Sequence, residues 1–159
     1  MVDMNNILYP TDFSEHSLAA LPLALDLAQR YGAQLHCLHV VDSEHELLLQ
    51  GGYVAPLVAS YPLDKAELRK SASEHLDRFV AEHIPAPHPS LNQAVTLGKP
   101  FAEIIRYCRQ ENIDLIVLGT HGHSALASML LGNVAEKVTR KAPCAVLTVR
   151  HPQHRFEAP

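Results

Sequence analysis

Short apolar runs alternate five times with longer segments of helical periodicity, and this alternation constrains the fold of the chain more than any other feature. The apolar runs are 7–9, 34–41, 91–97, 113–118 and 144–149. Between them, apolar residues recur every three or four positions, as on one face of a helix. Strands that alternate with helices form parallel sheets covered by helices. The sequence therefore predicts one α/β domain over residues 1–150, followed by a flexible C-terminal tail at 151–159.

Capping residues and prolines predict where the elements begin and end. Ser14 is expected to cap the first helix, which Gly32 ends. Pro10 is expected to end the first strand, and Pro22 to kink the first helix from within. Three more helices are expected: one capped by Asp64, then 100–110 and 133–141.

Composition narrows the class of protein. Of 159 residues, 47% are apolar and 19% are charged. The net charge is −4, and the sequence has no acidic or basic block. We therefore expect neither nucleic acid nor a membrane surface as a partner. Three distant cysteines without a CxxC pair predict small buried hydrophobic side chains in a reducing compartment. The N-terminus resembles no signal peptide, and no apolar run approaches the roughly 18 residues of a membrane span. We expect a soluble, cytoplasmic protein.

Three glycines mark the candidate functional site. Gly119, Gly122 and Gly132 follow the most apolar strand, and the last directly precedes a helix. Glycines let the backbone approach a ligand closely, and a helix N-terminus offers unpaired amides to an anion. The segment is a candidate phosphate cradle. The GxxxxGK[ST] pattern of P-loop proteins and a GxGxxG after the first strand are both absent, which argues against a P-loop NTPase and a dehydrogenase-type dinucleotide site.

Over residues 4–150 the sequence resembles the universal stress protein family. The resemblance rests on the spacing Gly119-x2-Gly122-x9-Gly132 and on the front motif Tyr9-Pro10-Thr11-Asp12-Phe13-Ser14, supported by His39-Val40-Val41 and residues 142–147. It implies a Rossmann-like, open five-stranded parallel sheet in the order 3-2-1-4-5, with helices on both faces. It also implies homodimers that pair through the last strand, 144–150.

The resemblance further implies an adenine-nucleotide site for ATP, AMP or ADP, with or without Mg²⁺. The sheet order brings Pro10, Thr11 and Asp12 beside the glycine segment. In ATP-binding members, residues matching Asp12 contact the nucleoside and those matching Val40 or Val41 contact adenine. The residues expected around the ribose and phosphates are Gly119, His121, Gly122, Gly132, Asn133, Val134 and Ala135.

Two positions depart from the ATP-binding pattern. Asn133 stands where Ser or Thr is usual, and we expect it to cap the last helix in a capping box with Glu136, either instead of or in addition to meeting a phosphate. His123 stands where many relatives carry Arg or Lys. Because histidine is only partly cationic at neutral pH, we hypothesise a weak ATP affinity that strengthens towards pH 6. Equal affinities at pH 6 and pH 8 would rule out a role of His123.

Simpler interpretations stay open for each feature. The glycines could serve only a turn and close packing, and Asp12 could only cap a helix with Ser14. We expect His121 and His123 to be ordinary surface histidines and therefore expect no metal site. We expect residues 42–62 to be either a lid or a partner-binding flap. The leading hypothesis is a dimeric, adenine-nucleotide-binding regulatory protein of the stress response, with a regulatory partner that the sequence does not identify. A nucleotide-free dimeric interaction module is the alternative. An enzyme, at most a slow ATPase or a self-phosphorylating protein, is the weakest hypothesis.

Overall fold

The chain folds into a five-stranded, all-parallel sheet in the order β3-β2-β1-β4-β5, which confirms the expected class and topology. The computed structural model describes residues 3–42, 64–84, 86, 90–120 and 131–151. The strands are β1 (Asn6–Thr11), β2 (Gln34–Val41), β3 (Leu91–Leu97), β4 (Leu115–Gly119) and β5 (Ala145–Val149). The helices are α1 (Glu15–Leu18), α2 (Leu21–Tyr31), α3 (Lys65–His83), α4 (Pro100–Gln110) and α5 (Asn133–Lys141).

Two apolar layers hold the helices on the sheet. Side chains alternate along a strand, so Ile7 and Tyr9 of β1 face α2 and α3, whereas Leu8 faces α4 and α5. All three are 0% exposed. The near-continuous apolar runs of β1 and β4 follow from burial on both faces, as is usual for parallel sheets. The central strands are therefore rigid supports for whatever lies at their carboxyl ends.

The expectation that Pro10 ends the first strand is wrong. The strand continues to Thr11, which pairs with His39 of β2. Asn6 accepts a hydrogen bond from the amide of Asp114, so the backbone groups of even-numbered residues in β1 face β4. The amide hydrogen that Pro10 lacks would have pointed towards β4, where the register ends at Leu8, so the pairing of β1 with β2 continues past the proline.

The expected kink at Pro22 is also absent, because the predicted first helix is two helices. Helix α1 ends at Leu18, and α2 begins at Leu21 with Pro22 in its first turn. Amides of a first turn have no acceptor within their own helix, so proline costs no hydrogen bond there. Gly32 ends α2 as expected, in the left-handed conformation with φ +63°.

The remaining boundaries follow the sequence closely. Asp64 caps α3 by accepting from the amides of Ala66 and Glu67, and α4 spans the predicted residues. β4 runs from 115 to 119 instead of 113 to 118, and β5 begins one residue later than expected. None of the helices in the described part of the chain combines the length and the apolarity that crossing a membrane requires. Residues 43–62 of the expected lid and 152–159 of the expected tail lie outside the described residues.

Candidate functional site

The strand order places a topological switch point at the carboxyl ends of β1 and β4, where open α/β sheets have a crevice. The two strands pair only at Ile7–Leu115 and Leu8–Ile116. Beyond these pairs, β1 leads to α2 on one face of the sheet and β4 leads to α5 on the other. Open α/β sheets bind ligands at such a switch point. The crevice is therefore the place in this fold where the candidate residues can act together.

A hydrogen-bonded turn fixes Asp12 at one side of the crevice. Its Oδ1 accepts from the amide of Ser14 at 3.0 Å and from the Ser14 hydroxyl at 2.5 Å. The amide of Phe13 donates to Thr11 Oγ1 at 3.0 Å, and Phe13 itself has φ +64°. Asp12 thus holds Ser14, which caps α1 as expected by accepting from the amide of Ser17 at 3.2 Å. Its contact with a nucleoside stays a prediction.

Helix α1 lies directly on the end of β4. A Cβ atom at Gly119 would lie 2.3 Å from the backbone oxygen of His16 and 3.2 Å from the Cα of Ser17. Only glycine allows this approach, so at this position close helix–sheet packing accounts for the glycine. The same contact places the Asp12–Ser14 turn and Gly119 on neighbouring walls, although they are far apart in sequence.

The end of the glycine segment is held by Thr120, which is 2% exposed. The carbonyl of Thr120 accepts from the amide of Gly132 at 2.6 Å, and its amide donates to Val149 at 3.0 Å. The start of α5 is thereby fixed to both β4 and β5. Sequence analysis missed Thr120, and only its position directly after the most apolar strand could have drawn attention to it.

The predicted capping box at the start of α5 is wrong. Gly132, with φ −67° and ψ 158°, is the N-cap, Asn133 is the first helical residue, and no side chain of the described residues caps the helix. The carboxylate of Glu136 instead pairs with Arg140 at 3.4 Å, one turn along the helix. The tether from Gly132 to Thr120 decides where the helix begins, and that shifts Asn133 past the capping position. The side chains of Asn133 and Val134, the two residues after the N-cap, are exposed, whereas Ala135 is buried against the sheet.

The end of β2 forms the remaining side. Val41 is 7% exposed, and its carbonyl accepts from the amide of Gly98 at 2.9 Å. Val40 packs partly buried against the α4–α5 layer. The two predicted adenine contacts thus belong to different faces of β2, as adjacent residues of a strand must. His39 Nδ1 lies 2.8 Å from the carbonyl of Thr11 and joins the ends of β1 and β2.

An aromatic group that the sequence did not reveal packs behind the Asp12 turn. The ring of Phe13 lies 4.3 Å from that of His39 and 4.1 Å from that of His75 on α3, centroid to centroid. Phe79 adds a tilted contact at 5.3 Å. These stacked rings hold Phe13 in its left-handed conformation, which a bulky residue rarely adopts. Nothing in the linear spacing of the four residues indicates that they meet.

Three predicted site residues, His121, Gly122 and His123, lie outside the described residues. Within the part of the chain that the structure describes, no three His, Cys, Asp or Glu side chains come close enough to hold a metal ion. The expectation of no metal site stays a prediction, because the two loop histidines lie outside the described residues.

Comparison with known proteins identifies relatives over nearly the whole chain. The model of the universal stress protein family matches residues 4–150. Universal stress protein MJ0531 of Methanocaldococcus jannaschii is 32% identical over 147 residues, which cover 92% of this chain and 82% of the relative. The structure of the universal stress protein UspA from Lactobacillus plantarum is 32% identical with a TM-score of 0.69, covering 94% of this chain and 100% of that one.

Two more distant structures share the fold and hold adenine nucleotides. A universal stress protein in complex with cAMP is 21% identical with a TM-score of 0.59, covering 94% of this chain and 98% of that one. The Arabidopsis thaliana family protein At3g01520 has AMP bound and is 17% identical with a TM-score of 0.61, covering 94% of this chain and 93% of that one. At these identities the likeness is one of fold alone.

Proposed function

The chain belongs to the universal stress protein family, and from that premise we propose that it is a dimeric regulatory protein of the stress response that binds an adenine nucleotide, ATP or AMP or ADP. The nucleotide is expected in the crevice between β1 and β4. Its occupancy, and no chemical turnover, would carry the signal to a regulatory partner. We therefore expect no catalysis beyond a slow ATPase or self-phosphorylation, and a cytoplasmic location.

The observation that carries the proposal is the start of α5, which no side chain of the described residues caps. Gly132 is its N-cap, and the carboxylate of Glu136 pairs with Arg140. Amides of a first helical turn are unpaired within the helix, and the positive end of the helix dipole favours an anion. In the proposed complex the amides of Asn133, Val134 and Ala135 face a phosphate group. Bound Mg²⁺, if present, would reduce the phosphate charge.

The rest of the nucleotide would be held by the ends of β1 and β2. Asp12, with Oδ1 anchored to Ser14, is expected to meet the nucleoside, and Val40 and Val41 to contact the base. The cAMP and AMP complexes described above support the proposal at the level of the fold, since a sheet of this topology accommodates an adenine nucleotide.

Nucleotide binding can be tested by titrating a fluorescent ATP analogue into the protein, alongside thermal melts with and without ATP–Mg²⁺. A ligand at about 100 times its dissociation constant should stabilise the protein by roughly 2.7 kcal/mol. Asp12→Asn should weaken the affinity at least tenfold. Ser14→Ala is the matched control, because it removes the hydroxyl that donates to Asp12 and keeps the carboxylate, whereas Asp12→Asn removes the charge and keeps an oxygen acceptor. Equal losses in both variants would show that Asp12 acts only through the turn.

A nucleotide-free dimeric interaction module is the second candidate, and two contacts favour it. Asp12 already supports α1, and Gly119 is already required by the packing of α1, so neither residue needs a ligand to account for it. A protein that remains a dimer and shows no thermal shift with ATP–Mg²⁺ would fit this candidate and refute the leading one.

The proposed homodimer would pair β5 with its copy. β5 is the edge of the sheet, and Leu147 is 37% exposed there. Since the carbonyl of Val149 faces β4, alternation turns the backbone groups of Val146 and Thr148 towards the free edge. Thr148→Pro removes one edge donor and no bond to β4, so native mass spectrometry should find it monomeric. Thr148→Val is the control, and a dimeric proline variant would contradict pairing through β5.

A further inference from the structure

Two cysteines that are distant in sequence come together between α4 and β5. Cys108 lies in the last turn of α4 and is 2% exposed. Cys144 immediately precedes β5, is partly buried and packs against the apolar layer that contains Cys108. The third cysteine, Cys37, lies in the other layer, on the far side of the sheet. The tertiary fold therefore makes one pair out of three free thiols.

Backbone contacts fix this meeting independently of the side chains. The carbonyl of Cys108 accepts from the amide of Ile113 at 3.0 Å, which brings the end of α4 against the start of β4. The register Leu115–Ala145 places Cys144 beside Asp114 at the same end of the sheet. Both cysteines thus lie next to the short segment that enters β4. Each thiol lies close enough to the other to influence its pKa.

We propose that Cys108 and Cys144 form a redox-modification site, in which a hydroperoxide oxidises the two thiols to an intramolecular disulfide. The Cys144 thiolate attacks the peroxide oxygen, the O–O bond breaks, and a sulfenic acid and an alcohol or water result. The sulfur of Cys108 then attacks the sulfenic sulfur, the S–S bond forms, and water leaves with the thiol proton. Two thiols and one hydroperoxide become one disulfide, one alcohol and one water, so the pair supplies both electrons.

Burial makes this a slow site. Burial raises the pKa of the Cys108 thiol to about 12. It also raises the pKa of the Cys144 thiol, and the nearby Cys108 lowers that pKa in part. Since the thiolate is the reacting form, Cys144, the less buried of the two, reacts first and the rate increases with pH. Such a pair would not respond to a brief exposure to hydroperoxide, but it would respond to a sustained one.

The disulfide would close a loop that contains β4, the whole glycine segment and α5. Linking residues this far apart removes conformational freedom from the unfolded chain. For a chain of this length, the model of loop entropy corresponds to a rise of the melting temperature on the order of 10 °C. The bridge requires no nucleotide, so it can be tested whether or not the proposed function holds.

The experiment treats the folded, reduced protein with hydrogen peroxide at pH 7 and pH 8.5, then blocks free thiols with iodoacetamide and maps peptides by mass spectrometry. The expected product is a monomeric chain with the single linkage Cys108–Cys144, a free Cys37 and faster formation at the higher pH. Protein oxidised in urea serves as the reference and should contain all three pairings. Cys37→Ala should oxidise as the wild type does.

Other products would overturn the proposal. A linkage to Cys37, a disulfide between chains, or sulfinic acid at Cys144 without a bridge would each show that the two thiols are not set to pair. A melting temperature below that of the reduced protein would show that the bridge distorts the native fold. Cys144→Ser leaves the buried Cys108 in place and should abolish the bridge and the thermal shift together.

Discussion

Gly119→Ala tests whether α1 and β4 pack as closely as the structure indicates. The added methyl group would lie 2.3 Å from the His16 backbone oxygen and 2.8 Å from the carbon bonded to it. Ordinary carbon–oxygen contact needs about 3.3 Å, so α1 must move by roughly 1 Å. The obstacle is backbone on a helix of four residues and cannot rotate away as a side chain would.

The cost follows from what α1 holds. Overpacking alone destabilises by about 1–3 kcal/mol. The same shift lengthens two bonds of Ser17, from Tyr9 Oη to its carbonyl and from Thr11 Oγ1 to its hydroxyl, both 3.0 Å. Each buried bond contributes about 1 kcal/mol. We therefore expect a loss of roughly 3–5 kcal/mol, a large part of the 5–15 kcal/mol that stabilises a typical domain.

Urea unfolding followed by circular dichroism measures the loss, and Gly32→Ala is the matched control. Gly32 also has a restricted conformation, with φ +63°, but nothing lies within 4 Å of its added Cβ. Left-handed strain there should cost only about 1–2 kcal/mol. The reasoning is refuted if Gly119→Ala is no less stable than Gly32→Ala. Because α1 is tied to Asp12 through Ser14, Gly119→Ala should also weaken any nucleotide affinity.

Two further predictions concern buried polar groups. Tyr9→Phe removes the hydroxyl that donates to the Ser17 carbonyl. Because a buried carbonyl loses its partner, the free energy of unfolding should fall by about 1–3 kcal/mol. A loss below about 0.5 kcal/mol in urea unfolding would contradict the hydrogen bond. Burial lowers the pKa of His36 below its usual 6.5. Below pH 6.5 the unfolded state therefore binds a proton that the folded state does not. The free energy of unfolding falls as the pH drops through about 6.5, and it levels off below the folded-state pKa. His36→Gln should flatten the dependence of unfolding free energy on pH between 5 and 8, and an unchanged slope would count against the burial of a neutral imidazole.

Local chemistry explains why much of the fold could be predicted. Asp64 and Gly32 act as the sequence indicated, because a cap or a helix stop depends on neighbouring backbone alone. The two prolines were misjudged for the opposite reason. Whether a missing amide hydrogen matters depends on which strand lies opposite, for Pro10, and on where the helix starts, for Pro22.

The candidate site was predicted in its location and only partly in its details. The switch point follows from the strand order, which the family resemblance implied and the structure confirmed. The packing of α1 requires the glycine at position 119, and the bond to Thr120 sets the N-cap at Gly132. Neither α1 nor Thr120 belongs to the glycine spacing motif.

By itself the sequence determined the class of fold, because the period of apolar residues selects strand or helix locally and the alternation of the two leaves few topologies. It also predicted which segment could meet an anion. Only the tertiary structure decided which atoms face each other across the crevice, why Gly119 must be glycine, and that Cys108 and Cys144 form a pair. Those facts depend on distances between segments far apart in the chain, and spacing along a sequence carries no information about such distances.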